Sequence, residues 1–399
     1  RSRWGRRHPL LVAGALPTTV LFLALFAPPQ GMSEMGIFTW LLGVSILLRT
    51  TLTVYFVPYT AMGAELSTDY DQRTTIAKAR VTLGWIAGMA LPAIAFSFFF
   101  QPQNGIDGRL VAENYWYYGI LSAAVAGVTA LICIIGTRSV IPWLPVATAK
   151  APFKWTDPYN DIIGVCVNRN FRISIGSSLA FGMSTGAYAT LSLYLATYFW
   201  ELSVAQLAGF VVPTAIATLV AFMVLGPLGR RFDKPTLMAV FSLVLASNSV
   251  WLFGGRLFDV LPSNGHPMLY SLLLLNTGIA VFSIVCLQIM SASFAADILD
   301  ELEWQTGKRQ EGVIFAVGAF LSKATIGAGA LIAGVVIQWV GIQSDSVPGQ
   351  VPADVLQSLG WFTLIIVAGF SMIGFGFTTQ FRLNRDDHAK LRKTLDATS

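Results

Sequence analysis

Apolar residues gather in ten stretches along this chain, near 9–26, 37–58, 77–100, 117–136, 173–198, 206–228, 236–253, 268–291, 313–340 and 358–381. Each can cross a bilayer, whose hydrocarbon core about 30 Å thick takes roughly 20 mostly apolar residues of helix. The gaps between them alternate in charge. With gaps assigned to alternate sides, and Lys78 and Arg80 counted with the loop they adjoin, 22 of the 26 Lys and Arg fall on the side that holds both chain ends, against only Arg109 and Arg256 on the other. Basic loops stay in the cytoplasm. The pattern therefore predicts an all-α integral membrane protein of an inner membrane, lodged in the lipid bilayer with both ends of the chain cytoplasmic.

Composition changes that picture little. Apolar residues make up 54% and charged ones 12%, which suits a polytopic helical bundle rather than a soluble domain. A formal net charge of +5 would permit a nucleic-acid partner, but the bases sit in short juxtamembrane loops such as Arg3-Trp-Gly-Arg-Arg7 and Arg230-Arg231, where topology already accounts for them. No nucleic acid is expected. Cys133, Cys166 and Cys286 fall in two spans and a loop, without the paired spacing of a disulfide framework or a zinc site. His8, His266 and His388 lie in loops or the tail, and neither a phosphate cradle nor a nucleophile–base cluster is present. The sequence reads as neither an enzyme nor a cofactor or metal protein. It opens at Arg1 and enters its first span within nine residues, so we expect a beginning upstream of Arg1.

Two segments repeat. Arg3-Trp-Gly-Arg-Arg-His-Pro9 enters the first span much as Leu228-Gly-Arg-Arg-Phe-Asp-Lys-Pro235 enters the seventh. Ala64-Glu-Leu-Ser-Thr-Asp-Tyr-Asp71 closes the second span as Ala296-Asp-Ile-Leu-Asp-Glu-Leu-Glu303 closes the eighth. Both pairs are offset by six spans, so the repeat unit is six helices and two helices should precede Arg1, giving ten present of an expected twelve. The expected organisation is an N-terminal bundle over 1–136, a Pro- and base-rich cytoplasmic linker over 137–172, a six-helix bundle over 173–382 and a tail over 383–399.

The paired basic loops resemble the signature of the major facilitator superfamily. Ala296-Asp-Ile-Leu-Asp-Glu-Leu-Glu-Trp-Gln-Thr-Gly-Lys-Arg-Gln-Glu-Gly312 and Val57-Pro-Tyr-Thr-Ala-Met-Gly-Ala-Glu65 resemble its glycoside–pentoside–hexuronide:cation symporter branch, the melibiose-permease-like proteins. The resemblance covers all but the tail. It implies a secondary transporter that moves a sugar or glycoside with H⁺ or Na⁺ by alternating access, working as a monomer, its two bundles rocking around a midplane site. Same-fold transport of an organic anion or lysolipid, or a non-transporting scaffold or sensor, stands as the alternative.

Charge inside the membrane is costly, roughly 2.5–3.5 kcal/mol for Lys or Arg at mid-span on insertion scales, so it faces a cavity or a partner. Lys323 lies about ten residues, or about 15 Å, into its span. By resemblance it is the eleventh-helix lysine of the family's cation and sugar region. Arg80 matches the fifth-helix sugar-contacting arginine, and a planar guanidinium can fork onto two hydroxyls or a carboxylate. Gly84, Gly88 and Gly327 follow these two cations at helical spacing and are expected to admit neighbouring helices closely. Arg49 sits mid-span among apolar and hydroxyl residues, with substrate contact or a structural partner, such as an acid on the helices expected upstream, Asn276 or Gln288, both open. Where the family's permease has a fourth-helix aspartate this chain has Phe56, and Thr60 replaces a tryptophan. Losing a carboxylate favours H⁺ over Na⁺.

The fifth span carries ten hydroxyl residues between Ser174 and Thr197, of which Tyr188 and Tyr194 are candidates for stacking on a sugar ring. The substrate site is thus expected from Arg49, Arg80, Tyr188, Tyr194, Gln288 and Lys323. A cytoplasmic gate of ion pairs is expected from Arg6, Arg7, Glu65, Arg230, Arg231, Asp297, Asp300 and Glu303, as the family uses that region.

Overall fold

The computed structural model describes residues 4–5, 7–65, 80, 83–84, 86–102, 107–143, 163–306, 311–342, 346–383, 387–388, 390–391 and 393–394. Among these residues every regular element is helical. The main helices are α1 (His8–Leu25), α2 (Glu34–Glu65), α3 (Ile86–Phe99), α4 (Ala112–Gly136), α5 (Arg169–Tyr194), α6 (Val204–Gly209), α7 (Val211–Arg231), α8 (Lys234–Leu257), α9 (Pro267–Thr306), α10 (Glu311–Val340) and α11 (Ala353–Thr378). Among the described residues, eight stretches are long and apolar enough to cross a membrane, with α6 and α7 counting as one; α3 is shorter, and the hydroxyls of α5 dilute its hydropathy.

Local chemistry explains where helices begin and end. Pro9 and Pro235 each occupy the first turn of α1 and α8, where a preset φ and a missing N–H cost nothing. The repeated basic segments are therefore two equivalent helix starts. The linker was expected to reach 172, yet α5 already begins at Arg169, because Asn168 Oδ1 accepts the Phe171 N–H at 2.8 Å. Ser203 and Gln206 form a capping box that opens α6. The 40-residue α9 overruns the expected end at 291. Buried Phe294, Ile298, Leu299 and Leu302 recur at three- and four-residue spacing, so an apolar seam continues beneath the acids of its last turns.

The chain divides into two compact units, Arg1–Ala151 and Pro152–Ser399. In the first, α1 packs on α2 and α4; in the second, α8 packs on α9 and α11 in the same order. The second unit adds α5 against α10 and α11, and α7 against α9. An apolar cluster of this unit joins Leu191, Phe199, Trp200, Phe253, Leu269 and Val336.

Helices α5 and α10 meet through glycine. A Cβ at Gly186 would lie 2.5 Å from the Ile326 carbonyl oxygen, and one at Gly329 would lie 2.6 Å from the Ala187 nitrogen. Gly84, Gly88 and Gly327 have no described atom within 4 Å of a would-be Cβ, so no helix of their own unit is described against them. At 3.6 residues per turn Gly327 stands about 200° from both Thr325 and Gly329, so it shares the uncovered side of α10 with Lys323. Leucine at Gly186 should cost roughly 1–3 kcal/mol by overpacking. Gly186→Leu is expected to lower the melting temperature in detergent by several degrees, whereas Gly327→Leu should leave it unchanged.

Between α3 and α4, a three-residue 3₁₀ turn holds a buried ion pair. Arg109 Nη2 lies 2.5 Å from Asp107 Oδ2, Nε donates to both carboxylate oxygens at 3.0 Å, and the Arg109 N–H donates at 2.9 Å. Burial pushes the Asp107 carboxyl up, but these donors outweigh it and hold it below its ordinary value. A depressed carboxylate stabilises the fold above its unfolded pKa, and that contribution vanishes as pH falls below about 4. Asp107→Asn should therefore melt lower than the parent at neutral pH and lose less on acidification, as scanning fluorimetry at the two pH values would read.

Candidate functional site

Polar side chains within the spans fall into two groups. One group binds helices together. Ser184 Oγ on α5 donates to the Val367 carbonyl at 2.9 Å and lies 3.0 Å from Ser371 Oγ, both on α11. Asn248 and Asn276 exchange amide donors with each other's carbonyls at 3.0 and 2.9 Å, locking α8 to α9, and Trp251 Nε1 donates to Asn248 Oδ1 at 2.9 Å. Thr185, Thr190 and Ser192 return their hydroxyls to carbonyls of α5 itself. Much of the hydroxyl content of the fifth span is thus internal bonding. Asn276, one of the partners weighed for Arg49, has its amide donor committed within its own unit.

The other group is uncovered by its own unit. Lys323, Gln288, Arg49 and Arg80 are all exposed. On α10, Lys323 is the centre of a run of small and polar residues, Ala316, Ala319, Gly327, Gly334 and Gln338, spaced by three, four or seven and all exposed. The neighbouring arc of the same helix carries Phe320, Leu331, Val335 and Trp339, also exposed and wholly apolar. One arc suits acyl chains; the other, with an ammonium at its middle, does not. A similar division marks α5. Ile173, Ser177, Ala180, Ser184, Ala187 and Leu191 form the buried stripe, while Ser178, Thr185 and Tyr188 lie on an exposed one. Tyr188 is 41% exposed; Tyr194 is half-buried, its ring 6.3 Å from that of Tyr198.

The acids at the end of α9 have definite partners. Asp297 Oδ2 accepts Lys234 Nζ at 2.5 Å, joining the start of α8 to the end of α9. Lys234 was not among the expected gate residues, although it stands in the repeated segment beside Pro235. Its signal was the repeat itself, in which Lys234-Pro235 aligns with His8-Pro9 as Asp297 aligns with Glu65. Asn170 Nδ2 donates to Glu301 Oε2 at 2.8 Å, and Asn168 Nδ2 to Gln305 Oε1 at 3.2 Å, so the first turn of α5 is fastened to the same helix end. His388 Nε2, dismissed on sequence as a tail residue, lies 3.1 Å from Asp300 Oδ2 and 3.7 Å from Asp297 Oδ1.

Of the other expected gate residues, Arg231 is exposed, Glu303 half-buried, and Arg7 stands at the N-cap of α1. Arg6 and the side chains of Glu65 and Arg230 lie outside the described residues. In the first unit the aligned His8 is buried, with Nε2 3.0 Å from Thr137 Oγ1, so each repeated segment engages a different partner.

Similarity to known proteins runs the length of the chain. The family described as MFS/sugar transport protein matches residues 1–385. The isoprimeverose transporter of Lactiplantibacillus pentosus is 21% identical over 387 residues, 94% of this chain and 74% of that protein. The lactose permease of Leuconostoc lactis is 21% identical across 100% of this chain and 60% of its own length. The putative glycoside/cation symporter YagG of Escherichia coli is 24% identical over 90% of this chain and 73% of that one. Among solved structures, FucP, a major facilitator superfamily transporter in the outward conformation, superposes with a TM-score of 0.50 at 13% identity, over 92% of this chain and 82% of that chain. That likeness is one of fold.

The Lys234 and Asp297 pair predicts a charge-swap result. Lys234→Ala or Asp297→Asn should each lower transport several-fold with normal membrane yield, and the exchange Lys234→Asp with Asp297→Lys should recover a substantial part of it. Flux in proteoliposomes that stays equally low in the swapped protein would show that the pair's charge is immaterial.

Proposed function

Since the chain belongs to the MFS/sugar transport protein family, we propose that it carries a sugar or glycoside across the inner membrane together with a cation, H⁺ in preference to Na⁺, by alternating access. The observation that carries this reading is Lys323, an ammonium at mid-span on an uncovered small-residue face of α10. Such a charge is stable in a spanning helix where it meets water, substrate or a counter-charge, and the small side chains around it leave room for a ligand. Arg80 and Arg49 are assigned to hydroxyl or carboxylate recognition, Gln288 to hydrogen bonding, and Tyr188 and Tyr194 to stacking on the apolar side of a pyranose. Phe56 in place of a carboxylate supports protons as the coupling ion.

Lys234 and Asp297, with Asp300 beside them, form the cytoplasmic gate in this reading. Pairs of this kind, broken and remade, switch access between two faces because each conformation satisfies a different set of charges. The exposure of three cations, Arg49, Arg80 and Lys323, supports a second reading in which the solute is an acidic sugar or another organic anion. Competition of neutral glycosides against uronates for uptake separates the two.

The test is uptake by proteoliposomes. Sugar-driven alkalinisation of the medium supports proton symport, and sodium-dependent uptake without alkalinisation assigns the other ion. Lys323→Ala should reduce accumulation at least tenfold, equivalent to about 1.4 kcal/mol or more in the coupled step, at unchanged membrane yield. Normal accumulation by that variant would remove the role given to Lys323, and absence of flux for any sugar or anion would leave a scaffold or sensor.

A further inference from the structure

Described residues beyond α11 pack on the second unit. The Phe381 ring meets Phe294 of α9 edge-on with centroids 4.6 Å apart, the Arg382 N–H donates to Asn170 Oδ1 at 3.3 Å, and Leu383 is buried. Farther along, His388 comes back to α9 and places Nε2 3.1 Å from Asp300 Oδ2 and 3.7 Å from Asp297 Oδ1. Asp297 offers its other oxygen to Lys234. Leu383, His388, Asp233, Lys234 and Asp297 line one cavity of about 290 Å³. Among the described residues, the charged groups around the imidazole are Asp297 and Asp300 from α9, Lys234 and Asp233 from the start of α8, and Asp387 preceding it on its own segment.

We propose that the segment carrying His388 is a proton-sensitive brace on the α8–α9 charge cluster. Histidine is the side chain whose charge changes between about pH 5 and 8. As the imidazolium, His388 pairs with Asp300 and Asp297 and fastens the segment to α9. As neutral imidazole it keeps one hydrogen bond and loses both ion pairs. The brace is therefore tightest in acid and loosens as pH rises. Its consequence rests on the transport reading: a fastened brace holds the α9 acids in one arrangement, so a proton-importing carrier slows as the cytoplasm acidifies.

The brace is tested apart from transport. In the full chain, Cys133, Cys166 and Cys286 are replaced by Ser and Thr394→Cys carries a spin label in proteoliposomes. The label should be immobilised at about pH 5.5 and several-fold more mobile at about pH 8. His388→Gln should be mobile at both values and His388→Arg immobilised at both. A label whose mobility ignores pH, or a His388→Gln protein that responds as the parent does, overturns the proposal. Sugar counterflow with equal pH on both faces then reads the consequence: at the lower pH, His388→Gln should exchange several-fold faster than the parent. Equal rates would sink the regulatory role, and lack of exchange in every variant would sink the transport reading while the label still decides the brace.

Discussion

Hydrocarbon offers no hydrogen bonds, so each polar group in a spanning segment needs a partner in protein or a path to water, and this rule organises the molecule. The backbone meets it by forming helices, which are the regular elements among the described residues. Side chains meet it in two ways. Ser184 and the Asn248 and Asn276 pair are satisfied inside the second unit and fasten α5 to α11 and α8 to α9. Lys323, Gln288 and Arg49 are left open, and their need for water or a ligand makes them the functional candidates.

Packing sharpens that division. Gly182, Gly186 and Gly329 bring α5 and α10 so close that one side of α10 is filled by backbone contact. The opposite side then presents Lys323 between Ala319 and Gly327, with an apolar arc alongside for lipid. Close contact on one face thus leaves a polar face exposed by its own unit on the other. Fold and site are two consequences of one helix rotation.

At the charged end, electrostatics takes over from packing. The α9 overhang is held by an apolar seam of Phe294, Ile298 and Leu302 and carries Asp297, Asp300 and Glu301 on its other faces. Lys234, His388 and Asn170 reach these acids from three different segments. In the Lys234 and Asp297 pair the lysine is partly exposed and the carboxylate mostly buried, so water reaches the pair from the lysine side.

The all-helical membrane-spanning class, the likeness of the two basic helix starts and the family were legible in the sequence, because hydropathy and short motifs are properties of neighbouring residues. Lys323 stood out for the same reason, as a lone charge in a long apolar run. Other features were decided by tertiary structure. Whether a glycine admits a helix depends on rotation about the helix axis, which separated Gly329 from Gly327. Which serine is glue and which lines an open face depends on what lies across from it, as Ser184 and Ser178 show. Lys234 and Asp297 are 63 positions apart and His388 and Asp300 are 88 apart. Coulomb attraction acts across space, so the repeat could mark the segments but not which base meets which acid.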